Sequence, residues 1–128
     1  MTKPTVKRLT ANLIVEDIEA CLPFWVERLG FEKTVEVPEG DRLGFAILNH
    51  GPVELMLQSR ASLQKDLPDI ASGPYRSALF LEVPDLAPIR RALDGWPLIV
   101  AGRTTFYGTE EIVVADPAGN HVCFAAHT

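Results

Sequence analysis

The second half of the chain repeats the pattern of the first half at a shift of 68 residues. Under this shift, four residues coincide with four others: Leu13, Val15, Asp17 and Ile18 fall on Leu81, Val83, Asp85 and Leu86. In both copies an alternating strand pattern precedes an acidic helix cap, an amphipathic helix and about three further strands. The repeat therefore predicts two βαβββ modules. A module of about 55 residues cannot bury its sheet face and its helix alone, so the two must pack together.

Each module is expected to contain four strands and one helix in an α+β fold. We predict modules at about residues 8–58 and 77–127 of a single domain, residues 1–128, with a connector at residues 59–76. One short helical turn is expected in this connector, near Leu63. A chain of this length buries roughly two-thirds of its surface, which is enough for one core without a structural disulfide or metal. Strands are predicted at residues 9–15, 32–37, 42–49, 53–58, 78–83, 97–101, 111–115 and 121–126.

The composition excludes several classes of protein. With 47% hydrophobic and 23% charged residues and a net charge of −5, the chain is typical of globular proteins and not of disordered or fibrous ones. No apolar run reaches the roughly 18 residues of a transmembrane helix, and residues 1–10 are too polar for a signal peptide. The lysines and arginines are scattered along the chain, so there is no basic patch of the kind that binds nucleic acid. Two cysteines without a CxxC motif favour a reducing compartment, so we predict a cytoplasmic protein. Together with the preceding observations, this predicts no nucleic-acid and no membrane partner.

Four of the predicted strands combine one purely apolar face with one mixed face. The apolar faces should pack under the two helices, and they consist of Leu9, Ala11, Leu13, Val15, Val53, Leu55, Leu57, Leu79, Leu81, Val83, Val122 and Phe124. The mixed faces carry too many apolar residues for a solvated surface and too many polar ones for a closed core. A semi-enclosed ligand cleft explains both properties, whereas an edge-packed dimer interface or a partly wetted sheet is the alternative.

The predicted cleft therefore has apolar walls and a few directed polar groups. Trp25 and Trp96 are expected to anchor the helices to the sheets instead. Pro23 is expected either to make the first turn of the first helix irregular or to delay the regular helix until near Leu22. Glu110 and Glu111 are expected on a solvated edge. The residues predicted to line the cleft are Thr10, Asn12, Glu54, Met56, Gln58, Ala78, Phe80, Phe106, Tyr107, His121 and Cys123.

Two motifs at the ends of the repeat resemble a known family. Residues 12–17 (NLIVED), followed by Phe24-Trp25 and Leu29-Gly30-Phe31, look like the opening of the vicinal oxygen chelate superfamily. Residues 116–120 (DPAGN) are similar to the DP-x-G-N signature of that superfamily, which includes glyoxalase I, bleomycin-resistance proteins and ring-cleaving dioxygenases. The resemblance covers about residues 8–126. It implies two modules whose curved mixed sheets form a cleft, with helices on the outer faces, usually in a homodimer.

The resemblance also implies where a metal ion would bind. Metal-dependent members carry His, Glu or Gln ligands at four cleft positions, which correspond here to Thr10, Glu54, Ala78 and Cys123. Only Glu54 matches that pattern, and cysteine would place soft sulfur among hard oxygen ligands. A metal site needs at least three protein ligands. We therefore predict that the chain uses no metal and no other cofactor.

Three functions are compatible with these observations. The first is a metal-free binding protein, similar to bleomycin-resistance proteins, that sequesters a small molecule. The second is an enzyme of the lyase, isomerase or dioxygenase type, in which Glu54 acts as a general base or belongs to an incomplete metal site with Cys123. The third is an interaction module with a vestigial cleft. The incomplete ligand set favours the first, and leaves no catalytic residue assigned.

Overall fold

The computed structural model describes residues 3–5 and 7–128, and within them the chain forms eight strands in two modules. The first module comprises β1 (Ala11–Val15), α1 (Ile18–Leu22), a π-helical segment (Pro23–Arg28), β2 (Glu32–Glu39), β3 (Arg42–His50) and β4 (Val53–Ser59). The connector holds α2 (Arg60–Asp66) and a 3₁₀ turn (Pro68–Ile70). The second module comprises β5 (Ala78–Glu82), α3 (Ala87–Ala92), β6 (Val100–Thr104), β7 (Thr109–Ala115) and β8 (His121–His127).

Each module forms one four-stranded mixed sheet with the same topology. The strand order is β1-β4-β3-β2 in the first sheet and β5-β8-β7-β6 in the second sheet. In both sheets the edge strand that begins the module pairs in parallel with the last strand of the module, and the other pairs are antiparallel. The predicted α+β fold of two βαβββ modules is therefore confirmed. None of the helices in the described residues is long and apolar enough to cross a membrane.

The first helix widens into a π-helical segment at Pro23. Asp17 caps α1, and its carboxylate accepts a hydrogen bond from the backbone N–H of Ala20 at 3.4 Å. Because Pro23 has no N–H, it cannot continue the α-helical hydrogen bonds. Beyond it the backbone N–H of Leu29 donates to the carbonyl of Phe24. The wider turn directs both Phe24 and its neighbour Trp25 into the core, where both are fully buried.

The apolar faces of both sheets pack on one shared core. Phe24 lies at the junction between the modules, since its ring centroid is 5.0 Å from that of Trp25 and 5.1 Å from that of Trp96. Arg28 extends the junction by donating hydrogen bonds to two backbone carbonyls at the end of α3. Most residues predicted for the apolar faces belong to this core. Two do not: Leu9 precedes β1 and is 95% exposed, and Val53, the first residue of β4, is 49% exposed.

The DPAGN turn joins β7 to β8 and ties this corner to β5. The Asp116 carboxylate accepts hydrogen bonds from the backbone N–H groups of Ala118 and Asn120, at 3.0 and 2.8 Å. The Asn120 side chain accepts one from the backbone N–H of Ser77, immediately before β5, at 2.7 Å. Both side chains are buried. The turn motif therefore has a structural role, since it sets the position at which β5 enters the second sheet.

The connector is more regular than predicted, and one strand is shifted. The connector contains the seven-residue helix α2, capped by Ser59, whose hydroxyl accepts from the backbone N–H of Ser62 at 3.1 Å. Leu63 on this helix is buried, so packing stabilises it. The strand predicted at residues 97–101 lies instead at Val100–Thr104. Gly95 and Pro97, which flank Trp96, delay the start of the ladder.

Candidate functional site

Five predicted cleft residues lie together on one face of the first sheet, which we call the first mixed face. The parallel pairing of β1 with β4 places Asn12 beside Met56. The hydroxyl of Thr10 donates a hydrogen bond to the Glu54 carboxylate at 3.0 Å. The side-chain amide of Asn12 donates to the side-chain oxygen of Gln58, also at 3.0 Å. Polar groups on the two strands therefore form matched pairs.

Two further residues, missed by sequence reasoning, complete these polar pairs. The Arg8 guanidinium lies 3.3 Å from the Glu54 carboxylate, whose side chain is only 17% exposed. The amide of Gln58 donates to the Ser62 hydroxyl on α2 at 3.1 Å. Neither Arg8 nor Ser62 lies in a sequence pattern that would indicate a role in the site. Arg8 precedes the first strand, and Ser62 lies in the connector.

An open groove of about 580 Å³ lies beside α2 at one end of the first mixed face, where Asn12 and Gln58 are the two predicted residues that line it. Its floor combines the amide groups of Asn12 and Gln58 with the apolar side chains of Val37 and Phe45. At its rim, the Lys65 ammonium on α2 pairs with a carboxylate at the end of β2 at 2.6 Å. Its volume lies in the range of small-molecule sites, roughly 300–1,000 Å³. The lining combines two apolar side chains with six polar or charged residues, which suits a ligand of mixed polarity with several hydrogen-bonding groups.

The remaining predicted residues belong to the second sheet, whose face away from the core we call the second mixed face. Pairing of β5 with β8 places Ala78 beside His121 and Phe80 beside Cys123. Phe106, completely exposed, lies in the turn between β6 and β7, where its ring packs edge-on against that of Tyr107 at 5.1 Å. His121 is exposed at the beginning of β8. The predicted residues thus form two groups, one on each sheet.

Glu111 is not on a solvated edge, as the sequence analysis expected, but is fully buried on the second mixed face. One carboxylate oxygen accepts from the Arg103 guanidinium, with Nε at 3.0 Å and Nη2 at 2.9 Å. The other accepts from the hydroxyls of Tyr107 at 2.7 Å and Thr109 at 2.8 Å. All four donors come from the hairpin of β6 and β7. The prediction failed because successive side chains of β7 point to opposite faces of the sheet, and the hairpin partners of Glu111 cover the face on which it lies.

The buried network holds Glu111 in its ionised form. Hydrogen bonds from Tyr107, then from Thr109 and Arg103, outweigh the effect of burial and lower the pKa of Glu111 to about 2. The same carboxylate raises the pKa of Arg103 and that of Tyr107 through these hydrogen bonds. The ion pair is therefore permanent at neutral pH. It fixes Tyr107 and the half-exposed Arg103 at the border of the second mixed face.

The network makes stability depend on pH in a defined window. Because the pKa of Glu111 falls from its ordinary value of 4.5 to about 2 on folding, the carboxylate stabilises the fold fully above pH 4.5. That stability is lost as the pH falls from 4.5 towards 2. We expect Glu111→Gln to unfold at a lower temperature than the parent at pH 7, with a smaller difference at pH 3. Equal differences in melting temperature at the two pH values would contradict this; Glu110→Gln, on an exposed neighbour, is the control.

Each mixed face lies on the side of its sheet that faces away from the shared core. The apolar faces of both sheets and the helical segments belong to this core. The residues predicted to line one cleft are therefore divided between two faces, one in each module.

The residues at the four ligand positions do not fit a metal ion. Ala78 has no donor atom, and the Glu54 carboxylate is already paired with Arg8. Burial and the nearby Glu111 carboxylate raise the pKa of Cys123, so this thiol is protonated at neutral pH, whereas metals bind thiolates. Across residues 3–5 and 7–128, no group of three or more His, Cys, Asp and Glu side chains is placed to hold a metal.

Solved structures of similar fold include enzymes and binding proteins. A lactoylglutathione lyase from Agrobacterium tumefaciens has a TM-score of 0.75 at 18% identity, with 96% of this chain and 95% of that chain covered. TioX from Micromonospora sp. ML1 has a TM-score of 0.78 at 18% identity, with 96% and 100% covered. A bleomycin-binding protein in complex with bleomycin has a TM-score of 0.69 at 22% identity, with 96% and 100% covered. These similarities show the fold alone.

A sequence model of a protein family assigns the chain to a family, which the individual solved structures do not. No curated protein matches the sequence at a significant level. The model described as "Glyoxalase/Bleomycin resistance protein/Dioxygenase superfamily" matches residues 7–124, which include both modules and the DPAGN turn. The resemblance expected from the two sequence motifs is thereby confirmed. The chain belongs to the glyoxalase/bleomycin resistance protein/dioxygenase superfamily.

Proposed function

We propose that the chain is a metal-free binding protein of the bleomycin-resistance type, which sequesters a small molecule in a cleft formed by two copies of the chain. The observation that carries the proposal is the groove of about 580 Å³ on the first mixed face. Its amide groups are held in place by hydrogen bonds between Asn12, Gln58 and Ser62. Such preorganised groups bind a ligand without first losing conformational entropy.

The proposed homodimer supplies the second wall of each cleft. The first mixed face of one copy would lie opposite the second mixed face of the other, which brings the two groups of predicted residues together. Two features support this arrangement. Both sheets end in short edge strands, β1 and β5, with one unpaired side each, and a two-fold axis buries the same surfaces on both copies.

The two free cysteines, one buried and one half-buried, favour a reducing cytoplasmic location.

The aromatic side chains argue against a vestigial cleft. A cleft that had lost its ligand would be filled by its own large side chains, such as Met56, Phe80 and Phe106. Phe106 is completely exposed and Phe80 is 58% exposed, so neither ring is packed away inside the chain. Exposed aromatic rings at the border of a polar face are typical of binding surfaces.

A thermal-shift screen tests the binding proposal. The bleomycin complex of a structural neighbour suggests bleomycin as the first compound, with other cationic and aromatic antibiotics and metabolites in the panel. A compound present at about 100 times its dissociation constant should add about 2.7 kcal/mol to the free energy of unfolding. A panel in which no compound raises the melting temperature would contradict the proposal.

An enzyme that uses Glu54 is the alternative. The specific observation in its favour is that the Glu54 carboxylate is largely shielded and oriented by Thr10 and Arg8. We expect Glu54→Gln to change the affinity for a bound ligand by less than about tenfold, because glutamine keeps the shape and one acceptor oxygen. We also expect purified protein to contain no stoichiometric Ni, Zn, Fe or Mn. Turnover that Glu54→Gln abolishes would establish the enzyme instead, and a stoichiometric metal would overturn the metal-free assignment.

A further inference from the structure

An apolar cavity of about 540 Å³ lies between the modules and shares no residue with the groove of the first mixed face. Three parts of the chain surround it: the residues after the π-helical segment, the turn between β3 and β4, and the end of β5 with α3. Its apolar walls include Leu29, Phe31, Val53, Leu81, Val83 and Ile89. These residues have no part in the proposed function, whereas two others in the wall, Phe80 and Glu82, lie on the second mixed face.

The cavity is open to ligands from outside. Val53 and Phe80, both part of its wall, are 49% and 58% exposed. Phe31 and Phe124 form its buried end. Exposed apolar surface that rims a cavity is unfavourable in water, and a ligand with an apolar body would remove it from solvent. The volume is again that of a small-molecule site, roughly 300–1,000 Å³.

The charge of the residues that line the cavity determines which polar group such a ligand should carry. Within the described part of the chain, Glu82 is the one charged side chain in its wall, and His50, beside the ring of Phe31, is its only other titratable residue. No lysine or arginine among these described residues contributes to the wall. The Glu82 carboxylate is largely exposed and lies 3.5 Å from the imidazole of His127, so it stays hydrated at the mouth. A cation at this position can pair with it without losing its own water.

We propose that this cavity is a second binding site, for a compact apolar amine whose hydrocarbon body fills the space between the modules and whose ammonium group pairs with Glu82. An acid of the same shape would place a carboxylate against Glu82 and is disfavoured. A second copy of the chain is the other conceivable occupant, since the cavity lies beside the free edge of β5. The experiment below separates these occupants.

The test compares 4-phenylbutylamine with 4-phenylbutyrate, which have the same body and opposite charge. Two-dimensional NMR of the full chain should map the amine to the backbone amides of Val53 and Val83. Its affinity should exceed that of the acid by about two- to fivefold, the ratio expected for an exposed ion pair. Glu82→Gln should remove this preference, and the matched control Glu110→Gln should keep it. Ile89→Trp, which fills the cavity, should abolish binding of the amine.

Several outcomes would overturn the proposal. The first is equal affinity for both probes, and the second is a preference that survives Glu82→Gln. If Ile89→Trp fails to fold, Val53→Trp serves the same purpose, because Val53 is half-exposed and tolerates a larger side chain. If neither probe binds and Val53→Trp dissociates a dimer in sedimentation velocity, the cavity is covered by a second copy and the amine site does not exist.

Discussion

Replacing Phe24 by alanine should lower the free energy of unfolding by about 3–5 kcal/mol, the range for truncating a buried aromatic residue. Phe24 is fully buried and its ring contacts Trp25 from the first module and Trp96 from the second. The truncation leaves a cavity where the modules meet, so both should lose stability together. Since whole domains are stable by only about 5–15 kcal/mol, this is a large fraction of the total.

Urea denaturation followed by tryptophan fluorescence and by far-ultraviolet circular dichroism measures this effect. Both signals should give one coincident transition at a lower urea concentration than in the parent protein. Phe106→Ala, which removes a fully exposed phenylalanine, should change the free energy of unfolding by less than about 0.5 kcal/mol. A cost below about 1 kcal/mol for Phe24→Ala, or two separate transitions, would show that the modules do not share a core.

The second prediction is a large loss of ligand affinity when either mixed face is blocked. Asn12→Trp on β1 and Ala78→Trp on β5 each place a large side chain on one mixed face, at an exposed position where the strand tolerates it. Each variant should weaken binding of the tightest compound of the panel by roughly 100-fold or more, because the indole occupies the space of the ligand. Isothermal titration calorimetry measures the change. Glu36→Trp, an exposed position on β2 outside both mixed faces, is the control and should bind normally.

Much of the fold follows from the pattern of residues along the chain. The alternation of Leu13 and Val15 and of Leu81 and Val83 identified the two module-initiating strands, because both pairs face the shared core. The Asp17 cap marked the start of the first helix. The connector was less predictable, since α2 depends on the burial of one residue, Leu63, and lacks a longer apolar repeat.

The polar partners of the site depend on tertiary contacts and could not be predicted. Periodicity assigned Glu54 to the correct face but says nothing about Arg8, which is 46 residues away in sequence. Glu111 was placed on the wrong surface because its partners, Arg103 and Tyr107, belong to the opposite strand of a hairpin and its turn. The orientation of the two mixed faces was equally hidden, since a strand pattern defines faces of a sheet and not how two sheets pack.

The most direct test of a cleft shared between two copies mixes the two blocked variants. Asn12→Trp keeps the second mixed face intact and Ala78→Trp keeps the first, so a heterodimer of the two contains one cleft without an indole. After unfolding and refolding together in equal amounts, random pairing makes half of the dimers mixed, and about a quarter of all clefts should bind ligand again. Calorimetry on the mixture should recover that fraction of sites at the affinity of the parent protein. A mixture as inactive as its two components would contradict a cleft shared between two copies.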